Sequence, residues 1–376
     1  MSSELSTRAP ERYWSLSPRF RMARLLDDHG WTRVARPDDA DLLLAGSRAR
    51  LAALSPRADQ LIDVVLGTEL VTHKGRLARL LRAHGLSDVL QPETFLIDED
   101  PDEKELLRRR ALAEPGAVWI RKPVARGRGI GVEPIVDVER WLAARETPSP
   151  HGDDLVQRYI MNPLLLGGTK SEIRSYVLIA STDPLLVLYH DGTVRLTSLP
   201  FVHGDWENPL VHVTNTYRQK LADPTGWDAH GDGLKWTLPA LAEDVLARGL
   251  TADPDWLDTS LRPALKVMVR TVVRTVKASL VKRPGSFQLL GMDSILTDDL
   301  EDLWLTEMQL GPGLSVEGPV KAQLIPTMIQ EVAAIVLEVR DRLRRGEDPR
   351  ELSSLRGFQW VYAEPRSGEP EDDILG

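Results

Sequence analysis

The sequence of 376 residues predicts a mixed α/β (α+β) fold, and three observations predict it. Short apolar runs alternate with helical periodicity over the first third of the chain. Longer strands separated by Asp-Pro and Asp-Gly dipeptides follow from Leu155. Two helical stretches, Leu261 to Lys282 and Leu324 to Arg345, then frame a strand pair at Phe287 to Leu296 and Leu303 to Leu310. Alternating strand and helix reads as α/β, whereas successive strands joined by turn residues read as an antiparallel sheet.

In order along the chain, Met22, Leu25 and Leu26 set a helical period within Phe20 to His29. Gly30 stops it, and Trp31 to Val34 follows as a strand. Asp41 to Ala45 and Leu61 to Leu66 are compact apolar strands, completing a small α/β unit at 11–71. A second α/β unit, 72–167, contains a basic helix from Lys74 to His84, a strand at Phe95-Leu96-Ile97, a charged helix from Glu103 to Ala113 and a strand from Val118 to Lys122. The third unit, 168–365, opens with strands at Ser175 to Ala180, Leu185 to Tyr189 and Val194 to Thr197, with turns at Asp183-Pro184 and Asp191-Gly192. Phe201 to Lys235 reads as a loop too long for a mere connector, which points to binding or mobility. The polar, acidic tail 366–376 is expected to be disordered.

Length allows two or three packed units, and 42% hydrophobic with 27% charged residues is an ordinary soluble composition. A net charge of -9 argues against general affinity for nucleic acid. The chain has no cysteine, which excludes thiol nucleophiles, thiolate metal sites and disulfides. No apolar stretch approaches a bilayer span and the opening MSSELSTRAPER lacks the core of a secretory signal, so no membrane partner and a cytoplasmic location are expected. Abundant Ala and an excess of Arg over Lys suggest GC-rich bacterial coding sequence. No histidine pair has helical metal-ligand spacing, so no zinc site is expected.

Two segments carry chemistry. In the strand pair, Glu307 and Gln309 lie two apart and therefore on one face, while Asp293 lies on the partner strand. Two carboxylates and an amide oxygen on a rigid hairpin are hard ligands of the kind Mg²⁺ accepts together with phosphate oxygens; the alternative is a surface hairpin with solvated acids. The strand Val118 to Pro123 places Lys122 at its end, just before the loop Ala125-Arg126-Gly127-Arg128-Gly129-Ile130-Gly131. Such a loop can close over phosphates, with backbone N–H groups, a lysine charge and arginine forks; the alternative is a turn with a solvated basic rim. The stretch Leu261 to Lys282 sets Lys266, Arg270, Arg274 and Lys277 opposite Leu265, Met268, Val272, Val276 and Leu280. It is either a core helix with a solvated face or a surface that recognises an acidic polypeptide.

The run Leu155 to Pro163 followed by Leu164 to Val177 resembles the tubulin tyrosine ligase-like family of ATP-grasp ligases. The resemblance extends to Trp119 to Pro123 with its Gly/Arg loop, Asp191 to Arg195, His212-Val213-Thr214-Asn215, Lys235 to Leu238, Gly291-Met292-Asp293, Glu307-Met308-Gln309 and Thr72-His73-Lys74. It therefore covers most of the chain from about residue 70. It implies an ATP-grasp architecture in which a small N-terminal domain precedes a central and a C-terminal domain, with ATP between the last two. Lys74, Lys122 and Arg128 match phosphate-side positions, Gln157, Tyr159 and Ile160 the segment lining adenine, and Lys170 and Glu172 positions near base and ribose. Thr214 and Asn215 match a phosphate- and metal-side pair, Asp293, Glu307 and Gln309 the magnesium ligands, and Arg174 and Arg195 the arginines that hold a substrate carboxylate.

The chain departs from the family pattern at three points. Ser171-Glu172 stands for the usual Phe-Asp, Gln309 for the usual Asn, and Thr216 to Lys220 keeps only its lysine. Glu172 and Gln309 keep the functional group of the usual residue on a longer arm. The resemblance implies an ATP- and Mg²⁺-dependent ligase that joins an amino acid to a peptide or protein carboxylate, a C-terminus or a Glu side chain, through an acyl phosphate. Alternatives are ligation on a small peptide or metabolite, or nucleotide binding without turnover.

Overall fold

Three sheets organise the chain in this computed structural model, which describes residues 11–15, 21–98, 100–145, 153–225, 231–366 and 369. The first sheet is parallel, in the order β2 (Thr32–Arg33), β1 (Arg12–Ser15), β3 (Leu42–Leu44), β4 (Leu61–Ile62). The second is antiparallel, in the order β5 (Thr94–Phe95), β8 (Asp154–Arg158), β6 (Trp119–Pro123), β7 (Glu133–Ile135). The third and largest is also antiparallel. It runs β12 (Lys235–Trp236), β11 (Leu185–Pro200), β10 (Thr169–Thr182), β13 (Gln288–Leu296), β14 (Leu303–Gln309), with β9 (Leu165–Leu166) on β10 and β15 (Phe358–Ala363) on β11.

Strand β10 shows why the large sheet has two covered faces and one open corner. Ile173, Val177 and Ile179 enter a core shared with Leu265, Met268 and Val272 of the helix Arg262–Val276. Tyr176, Leu178 and Ala180 alternate onto the opposite face and pack with Ile325, Met328, Ile329 and Val332 of the helix Pro319–Arg345. By the same period of two, Lys170, Glu172 and Arg174 continue along that second face beyond the helix's cover. There the second sheet leans over the strand and a cleft remains between them.

Strand β10 starts at Thr169, six residues ahead of the expected Ser175, and β11 runs unbroken through Asp191-Gly192, where the dipeptide predicts a turn. The pairing shows the reason: the ladder shifts between Arg174↔Thr193 and Tyr176↔His190, so Asp191-Gly192 forms a bulge inside one strand. A Cβ on Gly192 would stand 1.9 Å from the Arg174 carbonyl oxygen, so only glycine admits this approach.

Other differences are local. The segment Phe201 to Lys235 is no structureless loop, since its described part holds short helices at Pro209–His212 and Thr216–Ala222. The stretch read as one helix from Leu261 is α-helical over Arg262–Val276, with its apolar side in the core, as the core-helix alternative requires. The helix Pro319–Arg345 is long and apolar enough to cross a bilayer, against the expectation that no stretch approaches that length. Its apolar positions Ile325, Met328, Ile329, Val332 and Val336 are buried against the large sheet, which is what a core helix does. The reading of 366–376 as a disordered tail falls outside the described residues except for Arg366 and Glu369.

Candidate active site

Strand pairing sets a row of charges across the large sheet. Arg174 on β10 pairs with Asp293 on β13, and Asp293 pairs with Glu307 on β14; one step along, Glu172 pairs with Arg195 on β11. Cross-strand neighbours on one face stand close enough to interact directly. Asp293, 2% exposed, takes both Nε and Nη2 of Arg174, the second at 2.9 Å, and Nη2 of Arg195 at 2.7 Å. Burial works to raise its pKa, but the two guanidinium groups outweigh that and hold the carboxyl below its usual range. Gln309 adds its amide nitrogen at 3.0 Å from Asp293 Oδ2.

Glu172 closes the row. Its Oε2 accepts from Arg195 at 2.7 Å and from the Thr214 hydroxyl, and its Oε1 accepts from Thr306 Oγ1 at 3.0 Å. Thr306 reaches this position through a second bulge. Asp293 pairs with Glu307 but Ser294 with Leu305, so Thr306 is the extra residue and both it and Glu307 face the cleft.

Cations come from the opposite wall. The helix Lys74–Ala83 buries Leu77, Ala78 and Leu81 and leaves Lys74 in its first turn. Lys74 Nζ lies 3.0 Å from Glu307 Oε1 and donates to the Arg126 carbonyl at 2.9 Å. Lys122, at the end of β6, donates to Gln157 Oε1 at 2.6 Å, and the Gln157 amide donates to Thr94 Oγ1 at 2.9 Å. Burial pushes the Lys122 amine down to about 8 although Glu307 and Glu172 oppose it. Lys170 is pushed down by burial to about 7.

Together these walls border an open cleft whose empty space, solvent at the mouth included, is about 660 Å³. Its lining combines apolar side chains, Ile120, Val132, Val213 and Ile295, with the charged ones. Of the residues singled out from sequence, Lys74, Lys122, Lys170, Glu172, Arg195, Thr214, Asn215, Asp293 and Glu307 line it. Asn215 also accepts from the Tyr217 N–H as the cap of the helix Thr216–Ala222. Arg174 stands behind Asp293, and Gln157 lines a narrow recess that it shares with Lys74, Lys122 and Glu307. Tyr159 stands behind Lys170, accepting from its Nζ at 3.0 Å. Ile160 is not among the lining residues, and Arg128 turns its guanidinium over the Tyr217 ring at 5.2 Å. The next residue, Gly129, sits where a Cβ would meet Val213 at 3.1 Å and Asn215 at 3.2 Å, so the glycine loop is seated on the helix Thr216–Ala222.

Sequence reasoning missed Thr306, Ile120, Ile295 and His212 as lining residues. A bulge leaves no local signature, and an apolar residue lining a site looks like core.

For a divalent ion, the donor chemistry fits: Asp293 and Glu307 are hard oxygen donors opposite each other at the cleft. Among the described residues no group of three His, Asp or Glu is gathered into a cage. Mg²⁺ binds through one or two carboxylates, water and substrate phosphates rather than in an all-protein cage.

A mixed α/β fold with this cleft between two antiparallel sheets defines the ATP-grasp-like class. Residues 58–344 match the Tubulin-tyrosine ligase family, and the chain belongs to that family. Human Inactive polyglycylase TTLL10 is 30% identical over 302 residues, 73% of this chain and 43% of that protein. Rat Protein polyglycylase TTLL10 is 26% identical over 387 residues, 92% of this chain and 55% of that protein. Probable tubulin polyglutamylase TTLL9 of Bos taurus is 29% identical over 281 residues, 65% and 58%. This chain thus spans about half the length of the curated relatives it matches. These relatives are animal proteins, so the bacterial source suggested by composition finds no support from them.

Proposed function

We propose that the chain is an ATP-dependent carboxylate–amine ligase that joins an amino acid to a peptide or protein carboxylate, with ATP between the segments 72–167 and 168–365. The observation that carries this reading is one cleft holding an acidic strand pair, Asp293 and Glu307, opposite the lysines Lys74 and Lys122. That arrangement suits a triphosphate and its divalent counter-ion. Family membership and the relatives' names, a polyglycylase and a probable tubulin polyglutamylase, support a protein acceptor and an amino acid donor.

In the proposed reaction a substrate carboxylate oxygen attacks the γ-phosphorus and the bond to the bridging oxygen breaks, giving an acyl phosphate and ADP. The amine nitrogen then attacks the acyl carbon, phosphate leaves, the amine sheds a proton and an amide results. Lys74 and Lys122 counter the repulsion between an anionic nucleophile and an anionic phosphate. Asp293, Glu307 and Gln309 would hold magnesium, which would supply further neutralisation of the phosphates. Arg128 supports the phosphate side from the glycine loop, and Thr214 and Asn215 the metal side. Arg195, with Arg174 behind it, orients the substrate carboxylate. Gln157, Tyr159, Ile160 and Lys170 serve the base end, and Glu172 faces the ribose. The glycine loop seated on the helix Thr216–Ala222 excludes water that would hydrolyse the acyl phosphate.

The test is ADP release screened against amino acids and peptide acceptors, with mass spectrometry of the acceptor. Release that requires both substrates, with the added mass of one amino acid, is the expected result. A second reading, nucleotide binding without turnover, is favoured by one observation: a relative 30% identical to this chain is named inactive. ATP binding with no turnover under any substrate pair would establish it in place of the first.

A further inference from the structure

The base end of the cleft is backed by a directional chain of hydrogen bonds. Lys170 Nζ donates to the Tyr159 hydroxyl at 3.0 Å and lies 4.2 Å from that ring's centroid. Tyr159 Oη is 2.9 Å from His212 Nδ1, and His212 Nε2 is 2.8 Å from the Asp205 carbonyl. A carbonyl only accepts, so His212 carries its proton on Nε2 and Nδ1 accepts from the tyrosine. Each member therefore donates to the next: Lys170 to Tyr159, Tyr159 to His212, His212 to Asp205.

All three side chains are buried, at 4%, 3% and 2% exposed. Burial also holds His212 below its ordinary pKa, which keeps the imidazole neutral and Nδ1 an acceptor. The far end is clamped by the segment after Phe201: Trp206 stacks on His212 at 4.9 Å with a 17° interplanar angle, and Phe201 meets the same ring edge-on. A lysine on a flexible stem loses rotamer freedom only where such contacts fix its head.

We propose that Tyr159 and His212 are positioning residues that fix the Lys170 ammonium for the base of a bound purine nucleotide, and that the segment from Phe201 to His212 completes this device. The inference rests on the nucleotide reading above. It gives the long segment after β11 a task and separates Tyr159 from direct contact with the base.

The experiment is calorimetric titration of the full chain with the β,γ-imido analogue of ATP and Mg²⁺, which needs no ligation partner. Tyr159→Phe keeps the ring and removes the hydroxyl, and is expected to weaken binding roughly tenfold with an unchanged circular dichroism spectrum. His212→Leu is expected to do the same, and the double variant to be no weaker than either single one, because one chain is broken twice. His212→Asn, whose amide oxygen can accept as Nδ1 does, is expected to restore part of the affinity. A folded Tyr159→Phe with wild-type affinity, or a His212→Asn no better than His212→Leu, overturns the inference. Absence of binding by the wild-type chain would instead overturn the nucleotide reading itself.

Discussion

Asp293 and Glu307 face each other across β13 and β14, yet they are held differently: Asp293 is buried between Arg174 and Arg195, while Glu307 stays open to the cleft with Lys74 as its partner. Both acids line the cleft, but Asp293 also belongs to the sheet's internal charge row, whereas Glu307 pairs with a lysine from the opposite wall.

For Glu307→Gln, loss of ATP-dependent ligation by about a hundredfold or more is expected, the scale seen when one electrostatic contact to a reacting group is removed. Stability is expected to change by less than about 1 kcal/mol, since the Lys74 pair is partly solvated. Product formation beside a thermal melt checks both; normal turnover would remove the ligand assignment.

Asp293→Ala has a different signature. It leaves Arg174 and Arg195, both under a tenth exposed, without their shared carboxylate. Stripping one partner from a buried ion group costs about 3–5 kcal/mol, so chemical denaturation should show a shifted midpoint as well as lost activity. A wild-type midpoint would mean that the charge row does not hold the sheet together.

Lys122→Ala is expected to weaken ATP binding by roughly ten- to a hundredfold, the equivalent of losing a charge-assisted hydrogen bond of about 1.5–3 kcal/mol. Equal affinity by calorimetry would contradict a phosphate role.

The buried lysines also give binding a proton signature. With amines pushed down to about 8 for Lys122 and about 7 for Lys170, both are charged at pH 6 and lose protons as pH rises. A triphosphate beside Lys122 favours that lysine's charged form, so binding at pH 8 should take up roughly half a proton, and affinity should fall as pH rises through 8 to 9. Titrations in buffers of different ionisation enthalpy measure this. The uptake should shrink in Lys122→Ala; an unchanged value would assign the proton elsewhere.

Gly192→Ala tests the bulge. A Cβ 1.9 Å from the Arg174 carbonyl oxygen forces β10 and β11 apart where they carry Arg174 and Arg195. Destabilisation of about 1–3 kcal/mol or more is expected, together with weaker substrate use. A folded variant with full activity would show that the close approach is not needed.

These residues show what sequence made legible. The hairpin was readable to within a residue or two, because its apolar runs and the acidic turn between them are local signals. The start of β10 was not, since Lys170, Glu172 and Arg174 look like a solvated segment. Glu172 and Arg174 are buried or nearly so because Arg195 and Asp293 neutralise them, and Lys170 because its ammonium donates to the Tyr159 hydroxyl. The Asp191-Gly192 turn was misplaced for the related reason that pairing with β10, not the dipeptide, decides the backbone there. Family resemblance assigns Gln157 and Tyr159 to the segment lining adenine; what the sequence alone did not show is that their side chains hold Lys122 and Lys170, which line the cleft.

Lys74 reaches two parts of the molecule with one ammonium, Glu307 on the acidic hairpin and the Arg126 carbonyl in the glycine loop. A group that draws the lysine away from either contact must disturb the other. Hairpin and flap are thereby wired to a common terminal, and neither can be addressed without the other registering it.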